Sequence, residues 1–167
     1  KAYTKEYAQL YPSAHVRYAT GERSEISFGY SRRINRPNSR DLNPFTNYSD
    51  PFNLRTGNPD LKPEFIHSFD LGYTQTFKSM SLTGSIYYRH TTDVIQRIKV
   101  FYDDNTGVVT MANIDESQTV GGELIFQFRP LPWWRNTISF NGNYIDYQNA
   151  STESDNWNNN GFNWGVK

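Results

Sequence analysis

The chain has 167 residues and sets 17 Lys and Arg against 17 Asp and Glu, so its charge carries no general footprint for nucleic acid or for an acidic membrane surface. It contains no cysteine, which excludes disulfide scaffolds, thiolate metal sites and thiol nucleophiles. Mean hydropathy is −0.78 and no apolar run reaches about 18 residues, which excludes a membrane-spanning helix and leaves a membrane-spanning barrel open. Aromatic residues make up 16%, the reverse of a disordered composition.

Helical periodicity is absent and alternation dominates. Ala14, Val16 and Tyr18 alternate with polar neighbours, and after Gly21-Glu22-Arg23 so do Ile26, Phe28 and Tyr30. Residues 33–63 hold Pro37, Pro44, Pro51, Pro59 and Pro63, a spacing that predicts a long irregular loop. Alternation resumes with Phe65, His67, Phe69, Leu71, Tyr73 and Phe77, breaks near Lys78-Ser79, and continues from Met80 to Tyr102. Asp103-Asp104-Asn105-Thr106-Gly107 predicts a turn. The return strand runs to Phe128, and Arg129-Pro130-Leu131-Pro132 closes the hairpin. A further strand carries Ile138, Phe140 and Tyr144; a polar loop over 151–160 precedes a last strand. About seven strands are expected. Lys1-Ala2-Tyr3 lacks the pattern of a secretory signal, and Phe162 to Lys167 reads as a strand stopped in mid-run; both suit an excerpt from a longer chain.

The chemistry of the two faces decides the class. One face carries Ser, Thr, Asn, Gly and Gln; the other is aromatic and aliphatic over about 8–10 residues, the length a tilted strand needs to cross a bilayer. Ile26, Phe28, Phe69, Leu71, Leu82, Ile86, Leu124, Phe126, Ile138 and Phe140 are therefore expected to face lipid. Connections alternate between short and long, as in transmembrane barrels with short periplasmic turns and long outer loops. The arms from Met80 to Tyr102 and from Val108 to Phe128 would each extend roughly 70 Å, more than a compact sandwich holds. Trp133-Trp134 suits an interfacial aromatic girdle, or alternatively a sandwich corner. Seven strands leave two open edges, which lipid does not tolerate, so an all-β antiparallel transmembrane barrel is expected here as a partial wall.

No catalytic constellation is present, and no cofactor is implied. His15, His67 and His90 fall on three strands without ligand spacing. Gly121-Gly122 reads as a bend or a close backbone approach. Arg32, Arg33, Arg36, Arg40 and Arg55 cluster in and beside the long loop. They read either as a mouth for an anionic ligand or lipopolysaccharide phosphate, or as a solvated loop paired with Asp41, Asp50 and Asp60. Arg36, Tyr48, Phe52 and Arg55 are the ligand-facing candidates, with the two rings able to stack on a ligand or to pack the loop on itself.

Four segments are more specific. Tyr30-Ser31-Arg32-Arg33-Ile34-Asn35-Arg36-Pro37, Leu42-Asn43-Pro44-Phe45, Tyr48-Ser49-Asp50-Pro51 and Gly57-Asn58-Pro59-Asp60-Leu61-Lys62-Pro63-Glu64 resemble the barrel domain of TonB-dependent outer-membrane receptors, nearest the SusC/RagA-related outer-membrane β-barrel family. Locally, Pro59 and Pro63 bias Asn58 and Lys62 to extended conformations, Leu61 can plug apolar surface, and Glu64 starts the next strand, so Asn58, Pro59, Leu61, Pro63 and Glu64 read as a loop re-entry staple. The resemblance implies that residues 1–167 are one partial barrel domain with 33–63 as an extracellular loop. It further implies a barrel of about 22 strands, a plug domain that this stretch lacks, partnership with TonB through that plug, and contact with outer-membrane lipid. The expected function is import of an extracellular ligand with TonB-relayed energy. Two other readings stay open: a wall subunit supporting partners such as a surface lipoprotein, and a soluble glycan-binding β-sandwich.

Overall fold

The computed structural model describes residues 9–50, 53–101, 107–148 and 159–167. They form β1 (Ser13–Gly21), β2 (Ser24–Asn35), β3 (Asn53–Arg55), β4 (Glu64–Thr76), β5 (Met80–Phe101), β6 (Gly107–Leu131), β7 (Trp134–Gln148) and β8 (Asn159–Val166). Seven of the eight follow chain order, β1-β2-β4-β5-β6-β7-β8, in one sheet whose neighbours are all antiparallel. β1 and β8 lie at opposite edges, so the sheet is open. The turns at one end are short: Glu22-Arg23, Phe77 to Ser79, and Pro132-Trp133. At the other end lies the connection over 36–63.

Several details differ from the sequence expectation. β6 runs on through Arg129, Pro130 and Leu131, expected to close the hairpin, so the turn is Pro132-Trp133, and β8 already begins at Asn159, inside the loop expected over 151–160. The loop starts after Asn35, not at Arg33, because Arg33, Ile34 and Asn35 still pair with Ile66, Phe65 and Glu64. The proline-rich stretch is also not irregular throughout. Its residues Asn53, Leu54 and Arg55 pair in parallel with Gly107, Val108 and Val109 of β6. The described pairing of β7 with β6 starts at Glu116, so β3 meets β6 on a part of the strand beyond that ladder. The turn expected at Asp103 to Gly107 lies, apart from Gly107, outside the described residues.

Register carries the period-two pattern across the sheet. Phe28 pairs with Leu71, Leu71 with Ile86, Ile86 with Gly122, Gly122 with Gly142, and Gly142 with Trp164. The next row toward the short turns is Ile26, Tyr73, Gly84, Leu124 and Phe140, followed by Leu82, Phe126 and Ile138. Toward the loop end comes an aromatic row, Tyr30, Phe69, Tyr88, Val120, Tyr144 and Phe162. Opposite residues share a face, so these side chains form one apolar surface. Ile86 is 61% exposed and Phe140 49%.

The reverse face is polar, as in the row Gly29, Asp70, Tyr87, Gly121 and Asn143. Gly121 is there a point of close approach and not a bend. A Cβ on it would collide with the Tyr87 ring, which also carries the Arg89 guanidinium 4.6 Å from its centroid. Among the described residues the buried apolar side chains are Leu61, Pro63, Val94 and Ile114, and all the described strands join the same sheet. A sandwich needs its apolar face covered by a second sheet. Among the described residues none covers this one.

Candidate functional site

The 36–63 connection is held to the outer part of the hairpin β5–β6 by a series of backbone and side-chain hydrogen bonds. Thr56 N–H donates to Val109 O (3.1 Å), the Asn58 side-chain amide to Met111 O (3.1 Å), and Lys62 N–H to Asn113 Oδ1 (2.9 Å). Asn113 Nδ2 donates in turn to Lys62 O and to Asp93 O. Leu61, between these ties, is 1% exposed. Asn58 also closes its own turn: its Oδ1 accepts from Asp60 N–H, while its N–H donates to Asp41 O at 2.6 Å. Proline lacks an N–H, so Pro59 and Pro63 bring no donor needing a partner. Gly57 sits where the two legs of the loop touch, with Asn43 O, Asp41 O and Asn43 N at 2.5 to 2.7 Å from where a Cβ would stand. Only glycine admits that approach.

Glu64 joins three strands. β4 begins at Glu64, and its ladder with β5 ends at the pair Phe65 and Thr92. Beyond it the Glu64 carboxylate accepts from Ile95 N–H at 2.6 Å and from the Asn35 side-chain amide at 2.6 Å. Next to this junction Asp93 has φ 55°, a left-handed conformation that Asp tolerates better than most residues. Glu64→Ala is expected to leave Ile95 N–H unpaired and to cost about 1–3 kcal/mol. Amide exchange at Ile95 in the full-length protein measures this, and unchanged protection there would refute the role.

A cavity of about 440 Å³ opens between the loop and the hairpin, lined by residues that include Arg40, Arg55, Arg97, Asp41, Phe45, Asn47 and Met111. Of the ligand-facing candidates, Arg55 lines it; Arg36 and Tyr48 do not, and both are exposed. Phe52 lies outside the described residues. No arginine of the loop forms an ion pair with Asp41 or Asp60 among the described residues. Arg32 instead donates to Leu10 O and Gln9 Oε1 and lies 5.3 Å from the Phe65 ring. Arg97 escaped the sequence analysis because its alternating strand carries no mark of a site. Asn113 and Asp93, polar residues in mid-strand, were a readable signal that was missed.

Beyond the aromatic row the same face turns polar, with Arg32, His67, His90, Gln118 and Asp146 in register. Tyr30 Oη and His67 Nδ1 are 3.0 Å apart, and His90 Nε2 and Glu116 Oε2 are 2.8 Å apart. At the short-turn end the Trp133 and Trp134 rings stack at 6.3 Å, with Trp133 80% exposed. Among the described residues no group of His, Asp and Glu could hold a metal ion, and no helix is long and apolar enough to cross a membrane.

Solved structures share this fold. The siderophore receptor PirA from Pseudomonas aeruginosa superposes with a TM-score of 0.69 at 13% identity, covering 93% of this chain and 35% of the receptor. The ferric enterobactin receptor PfeA from Pseudomonas aeruginosa, in complex with enterobactin, gives 0.61 at 16% identity, covering 86% and 26%. The copper transporter OprC gives 0.59 at 12% identity, covering 83% and 24%. The chain thus spans about a third or less of the length of these proteins. No curated protein matches it in sequence. The sequence matches the outer membrane protein beta-barrel family over residues 1–167, and family and fold together point to a non-enzymatic wall. The chain belongs to the outer membrane protein beta-barrel family, and its strands form part of a barrel wall in the bacterial outer membrane.

Proposed function

We propose that the chain is a segment of a TonB-dependent receptor that binds an extracellular ligand on its loop side and imports it. The observation that carries this reading is the apolar band on one face, with the anchored loop and its cavity beyond it at the long-connection end. From Met80 to Tyr88 the band spans about 27 Å along the strand, which a tilt of about 40° projects to roughly 20 Å, near the height of a barrel's lipid belt. Tyr30, Phe69, Tyr88, Tyr144 and Phe162 are the outer aromatic girdle, Trp133 and Trp134 the inner one, and the ten apolar residues from Ile26 to Phe140 named above meet lipid. The 36–63 connection is then extracellular. The segment from Asn58 to Glu64 returns the chain from that loop into the wall, as the bonds to Met111 and Asn113 and the burial of Leu61 support.

By likeness to receptors of siderophores and a transporter of copper, ligands scarce outside the cell are the class to test. A plug elsewhere in the full-length protein would close the lumen and contact TonB, and a surface lipoprotein is a candidate partner. The test compares uptake of labelled ferric siderophores and copper by cells with the intact receptor, without it, and without TonB. Loss of the same ligand's uptake in both deletions is expected. A receptor-dependent uptake that persists without TonB would overturn the mechanism.

A further inference from the structure

The loop cavity is lined by three exposed arginines and one carboxylate, Asp41, so its described lining carries a net positive charge. Arg40 comes from the first leg of the loop, Arg55 from β3 and Arg97 from the outer part of β5. They converge because β3 pairs with β6 at Val109, while β6 pairs with β5 through Met111 and Arg97. None of the three side chains donates a hydrogen bond or forms an ion pair among the described residues. The single lining carboxylate, Asp41, already accepts from the Asn38 side chain. The arginines outnumber the lining carboxylate three to one, and an anion placed among them balances the excess positive charge. Guanidinium groups present planar pairs of donors that match carboxylate and phosphate oxygens.

We propose that the cavity between Arg40, Arg55 and Arg97 binds an anion bearing at least two negative charges on carboxylate or phosphate oxygens. The exposed Phe45 ring at its rim packs on an apolar part of the ligand. The cavity lies about nine residues, or roughly 30 Å along β5, beyond the aromatic row at Tyr88. It therefore faces the extracellular side if the receptor reading holds, and the proposal rests on that reading. Two sources supply this chemistry: a soluble polyanionic ligand and the phosphates of lipopolysaccharide.

The test uses the full-length protein in detergent micelles, with calorimetric titration of citrate, pyrophosphate and purified lipopolysaccharide. Arg97→Gln and Arg55→Gln are expected to weaken binding by about tenfold or more. Arg36→Gln, outside the cavity, should leave it unchanged. Raising salt from about 0.05 to 0.5 M should weaken it as well. Binding of citrate or pyrophosphate with this pattern supports the cavity and assigns it to soluble ligands; the same pattern with lipopolysaccharide alone supports it and assigns it to the lipid. Absence of binding by all three probes, or equal effects of Arg97→Gln and Arg36→Gln, overturns it. Retained heat-modifiable migration verifies that each variant is folded. Binding in micelles needs neither TonB nor import, so failure of the cavity and failure of the transport reading give different results.

Discussion

Ile86→Arg and Phe140→Arg in the full-length barrel are each expected to lower stability by about 2–4 kcal/mol, whereas Ser85→Arg costs much less. Ile86 stands in the row with Phe28 and Leu71, and Phe140 in the row with Leu124. Ser85 is the next residue along β5 and points to the other face, opposite Gly72 and Glu123. In water the ranking would run the other way. A side chain as exposed as Ile86 loses little when it becomes charged, since surface substitutions stay within about 0.5 kcal/mol. Only a hydrocarbon surrounding makes the outward arginine costly, because its charge has no water and no partner. Urea titration of the barrel folded into lipid vesicles reads the difference directly. Equal tolerance at Ile86 and Ser85 would mean that this face does not meet lipid.

Leu61→Ala should release the loop from the hairpin. Truncating a fully buried leucine costs about 2–5 kcal/mol when the site cannot collapse around the gap. Leu61 is flanked by prolines at 59 and 63 and by the Asn58 and Lys62 ties, so the segment has little freedom to follow. The cost falls on local opening of the loop, not on the barrel, because the strands are paired independently of Leu61. Amide exchange at Thr56 and Lys62 should therefore accelerate by about 30-fold or more, while amides in the centre of β4 and β5 keep their protection. Asn113→Ala should act at Lys62 in the same sense, since its side chain both accepts from and donates to that residue. Unchanged exchange at Lys62 in Leu61→Ala would show that the leucine does not hold the loop.

The two predictions touch parts of the molecule that differed in how legible they were. Strand positions were readable from Ile26-Ser27-Phe28 or Ile138-Ser139-Phe140, because a period of two is a local property of each pleated segment. The turn at Glu22-Arg23 was readable from residue chemistry for the same reason, whereas the turn expected over Arg129 to Pro132 falls at Pro132-Trp133, because β6 keeps its pairing on to Leu131. The start of the loop was misjudged by three residues. Arg33 and Asn35 look like loop residues in isolation, and only their pairing with Ile66 and Glu64 keeps them in β2. The short parallel pairing of Asn53 to Arg55 had no local signal at all, since its partner is a strand segment 50 or so residues further along the chain.

The arginine cluster shows the same division more sharply. Composition marked Arg40 and Arg55 as neighbours in a basic loop, and could not say whether Asp41 and Asp60 neutralise them. Arg97 stood in an alternating strand among Ile95, Ile98 and Val100, indistinguishable from any polar-face residue. Glu64 looked like a strand opener; that its carboxylate serves the backbone of Ile95 follows only from where β4 happens to begin beside β5.

Residue order alone determined an all-β chain with one greasy and one polar side to each strand, short turns alternating with long connections, and a marked proline-rich segment ahead of Glu64. Those are consequences of side-chain alternation and turn chemistry, which act over a few residues. Tertiary structure decided the register that aligns the aromatic row, the pairing of β3 with β6 at Gly107 to Val109, and the meeting of Arg40, Arg55 and Arg97 around one cavity. Such features depend on which distant backbone groups find each other, and hydrogen-bond partners far apart in the chain leave no periodic trace in it.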